Sequence, residues 1–356
     1  MQSPARSSGA ARIGVLVATA WTLLAASSGG SALPATGDDR LTTEVRGRLE
    51  RLLGEFPGLS AAISRDGAMV VSTALGRADL EVGVAASTDT RYLVHSAAKA
   101  WTAAAAVTLL EEGRLRAGDE VATLVEGWPA THPPITVMQL ATHTGGLRHY
   151  RDADEARNPG RCDTVAEALP IFAADPLEGQ PGGAESYSSW GFVLLSAAIE
   201  AAAGTSFDEA LRERVLQPAG MVSTVHAHPA AVIADRATPY RRAEGGGFAP
   251  VVDLDSSCKW GAGGYLATAE DLVRFYLALL DHRVVGESSV ELLLRGAPVV
   301  RFGGASEGGR SQILVDRERG VIAAVAANAR GGDVDLHQVL VELVELTVAN
   351  EASAND

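Results

Sequence analysis

The chain has 356 residues, 47% of them hydrophobic and 21% charged, a globular balance with ample length for a sizeable core. A formal net charge of -14 and a pI of about 5.1 argue against nucleic acid as a partner, because phosphate binding needs a basic face. Two cysteines, Cys162 and Cys258, with no CxxC and no Cys/His cluster, argue against a structural zinc site, so no metal and no cofactor is expected.

The N-terminus reads as an export signal over residues 1–32. Arg6 and Arg12 precede an apolar run from Ile13 to Ala26, and Gly30-Ser31-Ala32 is a plausible cleavage site. The run is short for a membrane span, so contact with a membrane is expected only if the signal stays uncleaved. Residues 33–40 then read as a linker, and the expected mature domain covers 41–356. An exported, oxidising location would permit a Cys162–Cys258 disulfide; sequence alone leaves this open against two buried thiols.

A helix is predicted over 41–53 from the spacing of Val45, Leu49, Leu52 and Leu53. Strands at 59–64 and 68–75 flank Asp66-Gly67, a strong hairpin signal. Residues 83–95 look irregular. An Ala-rich helix follows from Ser96 to about Leu110, and Gly113 sits where it would stop. Further helices are predicted at 136–142, 164–173, 188–203, 206–216, 268–281 and 287–294, and 174–186 and 240–250 look like long loops of a functional kind. Strands return at 310–315 and 321–328, before a last helix over 334–348. The fold class expected is α+β: a sheet part from about 41–95 and 296–356, split by a helical part over 96–295, with a site in the cleft between them.

Chemistry gathers first at Ser96-Ala97-Ala98-Lys99. This spacing puts the two side chains one helical turn apart on one face. A serine hydroxyl needs a base to become a nucleophile, and a lysine whose pKa is lowered by burial or nearby positive charge can serve. The helix N-terminus adds partial positive charge and free N–H groups.

The surrounding residues, Tyr92-Leu93-Val94-His95-Ser96-Ala97-Ala98-Lys99, resemble the nucleophile region of class C serine beta-lactamases and the related DD-peptidases and esterases. Three further segments match in order: Leu140-Ala141-Thr142-His143-Thr144-Gly145-Gly146-Leu147, Tyr187-Ser188-Ser189, and Trp260-Gly261-Ala262-Gly263-Gly264-Tyr265-Leu266-Ala267-Thr268. Four ordered matches over about 41–348 are specific together, though none is alone. His149-Tyr150, Tyr187-Ser188-Ser189 and Lys259-Trp260 are similar to the branch that holds the mitochondrial serine beta-lactamase-like protease.

The resemblance implies a beta-lactamase/transpeptidase-like fold, an antiparallel sheet flanked by terminal helices with a large helical insert. It implies hydrolysis of an amide or ester (peptide, D-amino-acid peptide, lactam or simple ester) through an acyl-enzyme on Ser96, with Lys99 as base and Tyr187 as proton shuttle. Ser189 stands where the family often has Asn, and His149 and Tyr150 would shape the cleft rim. His143 is expected to order its loop.

The family's third motif is a Lys or His, then Ser or Thr, then Gly, and it departs most here. Its best counterpart is Arg301-Phe302-Gly303-Gly304, where Arg301 would bind a substrate carboxylate and Gly304 would join Ser96 as an oxyanion N–H donor. Phe302 lacks the hydroxyl. The segment 282–300 is also short, so a strand is either missing or replaced by 297–302. These two departures support the alternative of a catalytically impaired binding or sensor domain on the same fold. The expected partner is a small-molecule or peptide substrate; the oligomeric state is not legible.

Overall fold

The structure, a computed structural model, describes residues 39–354. The expected export signal and most of the expected linker lie outside the described residues. Asp39 and Arg40, assigned to that linker, already belong to the first helix, α1, Asp39–Glu50. Among the described residues no single helix is long and apolar enough to cross a membrane.

The hairpin follows as β1, Gly58–Arg65, and β2, Ala68–Asp79. Asp66 (φ 48) and Gly67 (φ 84) both take positive φ, as the expected Asp-Gly turn requires. The stretch expected to be irregular contains two short strands, β3 at Val84–Ala85 and β4 at Tyr92–Leu93. A 3-10 turn, His95–Ala98, leads into α2, Lys99–Glu111.

The helical part continues with α3, Val121–Leu124, α4, Val137–Ala141, α5, Ala153–Arg157, and α6, Val165–Ala168. Helix α6 is shorter than expected: Pro170 has no N–H to continue it, and the chain tightens into a 3-10 turn. Next come α7, Ser189–Ala203, and α8, Phe207–Leu211, which widens into a π turn before α9, Gln217–Ala219. Strand β5, Val225–His226, precedes β6, Tyr240–Arg242, and β7, Phe248–Pro250, so the segment read as a loop at 240–250 is a hairpin. Strand β8, Tyr265–Ala267, then leads to α10, Ala269–Leu280, and α11, Glu287–Leu294.

The chain ends on β9, Val299–Ser306, β10, Gly309–Asp316, β11, Val321–Ala327, and α12, Leu336–Ala354. The strand feared missing is therefore present as β9, a few residues later than 297–302.

Six strands form one antiparallel sheet in the order β3-β2-β1-β11-β10-β9. Both ends of the sequence build it, and β11 lies at its centre, buried on both faces. Val321, Ala323 and Val325 face one core with Val45 and Leu49 of α1 and Leu340 and Leu343 of α12. Ile322, Ala324 and Ala326 face the other, with Trp101 of α2, Trp190 of α7 and Phe275 of α10. This period-2 split of one apolar strand lets a single sheet carry a helical layer on each side.

Cys162 and Cys258 are joined in a disulfide, Cα to Cα 4.8 Å. It ties the loop before α6 to the turn 257–262, and Cys162 N–H donates to Ser257 Oγ at 3.0 Å.

Candidate active site

Ser96 lies on the 3-10 turn ahead of α2. His95 beside it is buried and held at φ 50, a region unusual for a side chain larger than glycine. Two glycine-bearing segments press on this turn. A β-carbon at Gly263 would sit 2.8 Å from the His95 carbonyl carbon, and one at Gly304 would collide with the Val94 carbonyl and the Ser96 amide nitrogen. The strained turn is thus wedged where only backbone fits.

Lys99 Nζ is buried and makes three contacts: Ser96 Oγ at 3.1 Å, Ser189 Oγ at 3.1 Å and the Ala262 carbonyl at 2.6 Å. Burial lowers its pKa, partly offset by Tyr187. As an ammonium, Lys99 donates to all three oxygens; loss of the proton shared with Ser96 leaves two N–H donors for the Ala262 carbonyl and Ser189 and a lone pair aimed at the Ser96 hydroxyl.

Tyr187 donates its hydroxyl to Ser96 Oγ at 2.7 Å. The residue is 45% exposed, but its hydroxyl end lies beside Lys99 and Ser96. Burial alone would raise the phenol pKa; the Lys99 charge and hydrogen bonding with Lys99, Ser96 and Ser189 outweigh it and lower the value.

Helix α7 places Ser189 and Tyr187. Its N-cap, Ser188, accepts from Gly191 N–H at 2.9 Å and donates to the Arg148 carbonyl at 2.6 Å. The preceding N–H groups go to histidines: Ser188 N–H to His143 Nδ1 and Ser189 N–H to His149 Nδ1, each at 3.2 Å. The two imidazoles also pack on the Tyr187 ring, with centroids 4.6 and 5.2 Å away. Burial and Lys99 lower both pKa values, His143 to about 4, which keeps the rings neutral as acceptors.

Arg148 anchors their loop, forking onto Glu155 at 2.8 and 3.0 Å and reaching Asp175 at 2.6 Å. Tyr150 packs edge-on against Trp190 and, like His149 and Ser189, borders the polar cavity on one side of Ser96.

Strand β9 is the free edge of the sheet, so one row of its backbone groups has no strand partner. Ser306 and Gly309 close a two-residue turn, which puts Gly304 with Ser311 and Phe302 with Ile313 in the doubly bonded class of pair. The Asn328 N–H to Gly58 carbonyl bond, carried across β11 and β10, gives the same alternation. The Gly304 N–H therefore points into the ladder. On either side of it, the groups facing out are the Gly303 carbonyl and the Ala305 N–H. Phe302 stacks on Tyr276, 5.3 Å between ring centroids, while Arg301 is exposed on the other face of the strand, with no ion pair among the described residues.

Three participants were not singled out as site residues from sequence. Lys259 is buried beside the polar cavity, donates to Ser256 Oγ at 3.2 Å, and has its pKa pushed down to about 8 by burial and by Lys99, against Asp255. Its place directly before the Trp260-Gly261-Ala262-Gly263-Gly264 segment is a signal that could have found it. Ala262 acts through its carbonyl, and the Ala305 N–H faces out beside Gly304; every residue has such backbone groups, so no side-chain pattern could mark them.

The beta-lactamase family profile matches residues 45–345. Human mitochondrial serine beta-lactamase-like protein LACTB is 26% identical over 329 residues, 72% of this chain and 60% of its own length. The chain thus spans about 60% of that curated relative. Penicillin-binding protein 4 of Amycolatopsis lactamdurans is 29% identical over 259 residues, 69% of this chain and 65% of that protein. Among solved structures, a penicillin-binding protein from Bacillus halodurans superposes with a TM-score of 0.71 at 22% identity, covering 86% of this chain and 98% of that one. The D-amino acid amidase of Ochrobactrum anthropi SV3 superposes at 0.72 and 19%, covering 87% and 99%. At those identities the structural likeness speaks for the fold alone, and the profile match over most of the chain makes this protein a member of the beta-lactamase family of serine hydrolases.

Proposed function

We propose that the chain hydrolyses an amide or ester by two-step acyl transfer on Ser96. The observation that carries this reading is the paired contact at one oxygen: Ser96 Oγ lies 3.1 Å from Lys99 Nζ and accepts from Tyr187 at 2.7 Å. Lys99 takes the Ser96 proton as Oγ attacks the carbonyl carbon. The oxyanion is held by the Ser96 N–H and the outward Ala305 N–H. Gly304, the donor expected from sequence, instead keeps a side chain off the nucleophile. Tyr187 gives its proton to the leaving group and regains one from Lys99. Water then attacks the acyl-enzyme by the reverse route, which frees the acid and restores Ser96.

An exported location is part of the proposal. It rests on the N-terminal sequence and is supported by the Cys162–Cys258 disulfide, which needs an oxidising compartment to persist. The sensor alternative rests on Phe302 standing where the family carries a hydroxyl; a burst of acylation without steady release would favour it.

Intact mass after a fluorophosphonate tests the reading. One adduct is expected on the wild type and none on Ser96→Ala. Lys99→Arg should lose at least ~10³-fold in acylation rate, because a guanidinium does not give up its proton. Labelling of Ser96→Ala at the wild-type rate would remove Ser96 as nucleophile.

A further inference from the structure

Two cavities meet at Ser96, and they differ in character. One, about 610 Å³, is the more polar of the two: Ser189, Lys259, Arg330 and Glu307 border it. The other, about 520 Å³, starts at Ser96 and Lys99 and runs along α2. Ala100, Ala103, Val107 and Leu110 form one wall of it. They recur at i, i+3, i+7 and i+10, one face of a helix. The rest of the wall includes residues of four other elements: Val300 and Phe302 of β9, Tyr276 and Leu279 of α10, Leu293 of α11 and Met138 of α4.

Protein cores leave few voids larger than a water molecule, so an apolar space of this size beside a reactive hydroxyl calls for an occupant. Small residues create it: Ala100 and Ala103 stand where larger side chains would close it. Leu292, 55% exposed, also borders the cavity and gives it an apolar lip at the solvent.

We propose that this cavity receives the acyl chain of a medium-to-long-chain ester, and that the polar cavity receives its hydrophilic alcohol; the inference rests on Ser96 acting as nucleophile. A fatty ester pairs an apolar acyl group with a polar alcohol, and the two spaces joined at Ser96 show the same division. From Ala100 to Leu110 the helix rises about 15 Å, the length of an extended chain of roughly ten to twelve carbons. The chain stays in the cavity through the covalent stage: Oγ bonds to the carbonyl carbon, the alcohol leaves with the proton from Tyr187, and water later releases the fatty acid.

The test is a series of p-nitrophenyl esters from acetate to dodecanoate, read as kcat/KM relative to acetate. Burial of a methylene contributes roughly fourfold, so octanoate should exceed acetate by at least ~30-fold in the wild type even when fewer than half of its extra methylenes are fully buried. Ala103→Phe should reduce that octanoate-to-acetate ratio tenfold or more, and Leu110→Trp, at the far end, should shorten the preferred chain by a few carbons. Because the ratio cancels a general loss of activity, a poorly folded variant does not imitate the result. A flat or falling profile in an enzyme that turns over acetate overturns the acyl-chain cavity and leaves Ser96 standing. A wild-type ratio that neither variant moves overturns it too. Absence of both acetate turnover and fluorophosphonate labelling removes the nucleophile, and this inference with it.

Discussion

At the scale of single residues, the site is a set of hydrogen-bond donors and acceptors that balance. Ser96 Oγ has one neighbour able to take its proton and one able to give it another. That balance depends on how closely β9 approaches the nucleophile turn, and Gly304 sets the approach. A methyl group there meets the backbone of the 94–96 turn and cannot be relieved by a rotamer change. Gly304→Ala should therefore lower kcat by ~10²-fold or more through displacement of the Ala305 N–H, the scale of a lost oxyanion donor. Stopped-flow acylation with a nitrophenyl ester would measure it; an unchanged acylation rate would mean that β9 does not frame the oxyanion.

At the scale of elements, the N-terminus of α7 stands out, because two neutral imidazoles satisfy its N–H groups. An imidazolium has no lone pair at Nδ1, so protonation removes the acceptor. His143 has its pKa lowered to about 4, against 6.5 for the free side chain. Between those values the unfolded chain binds a proton that the folded chain refuses, so stability is lost as pH falls from 6.5 towards 4. At ~1.4 kcal/mol per pK unit, and discounted for partial exposure, the wild type should lose ~1–2 kcal/mol more than His143→Asn between pH 7 and 4.5. Asn tolerates the positive φ of 56 at this position, so the variant isolates the titration. Urea midpoints at the two pH values check it; equal losses in both proteins would assign the acid sensitivity elsewhere.

At the scale of the whole molecule, the chain ends make the sheet and the middle makes the helical layer, and the reactive groups come from both. Ser96 and Lys99 belong to the junction, Tyr187 and Ser189 to the N-terminal end of α7 and the residues just before it, and the free edge to β9. The Cys162–Cys258 bond closes a loop across 96 residues and holds the turn that carries Ala262, the carbonyl partner of Lys99. Breaking it as Cys162→Ala/Cys258→Ala should cost ~2–5 kcal/mol of stability. It should also raise the apparent pKa of the ascending limb of kcat/KM, since Lys99 would regain contact with water. Thermal unfolding and a pH–rate profile measure the two effects; a variant equal to the wild type in both would make the disulfide incidental.

The sequence by itself determined the elements whose pattern is local and the side chains whose chemistry is distinctive. The Asp66-Gly67 hairpin, the Ala-rich helix after Ser96, the apolar strands near the C-terminus and the Ser96, Lys99, Tyr187 and Ser189 set were all legible, because periodicity, turn chemistry and residue type are written along the chain. Only the tertiary structure decided the pairing of Cys162 with Cys258, the hairpin at 240–250, β9 as an edge strand, and the Gly304 N–H pointing into the ladder while the Ala305 N–H faces out. All but the local hairpin depend on which distant segment lies alongside. Strand register alternates the direction of backbone groups that are chemically identical in every residue, so a one-residue difference in role leaves no trace in composition or spacing.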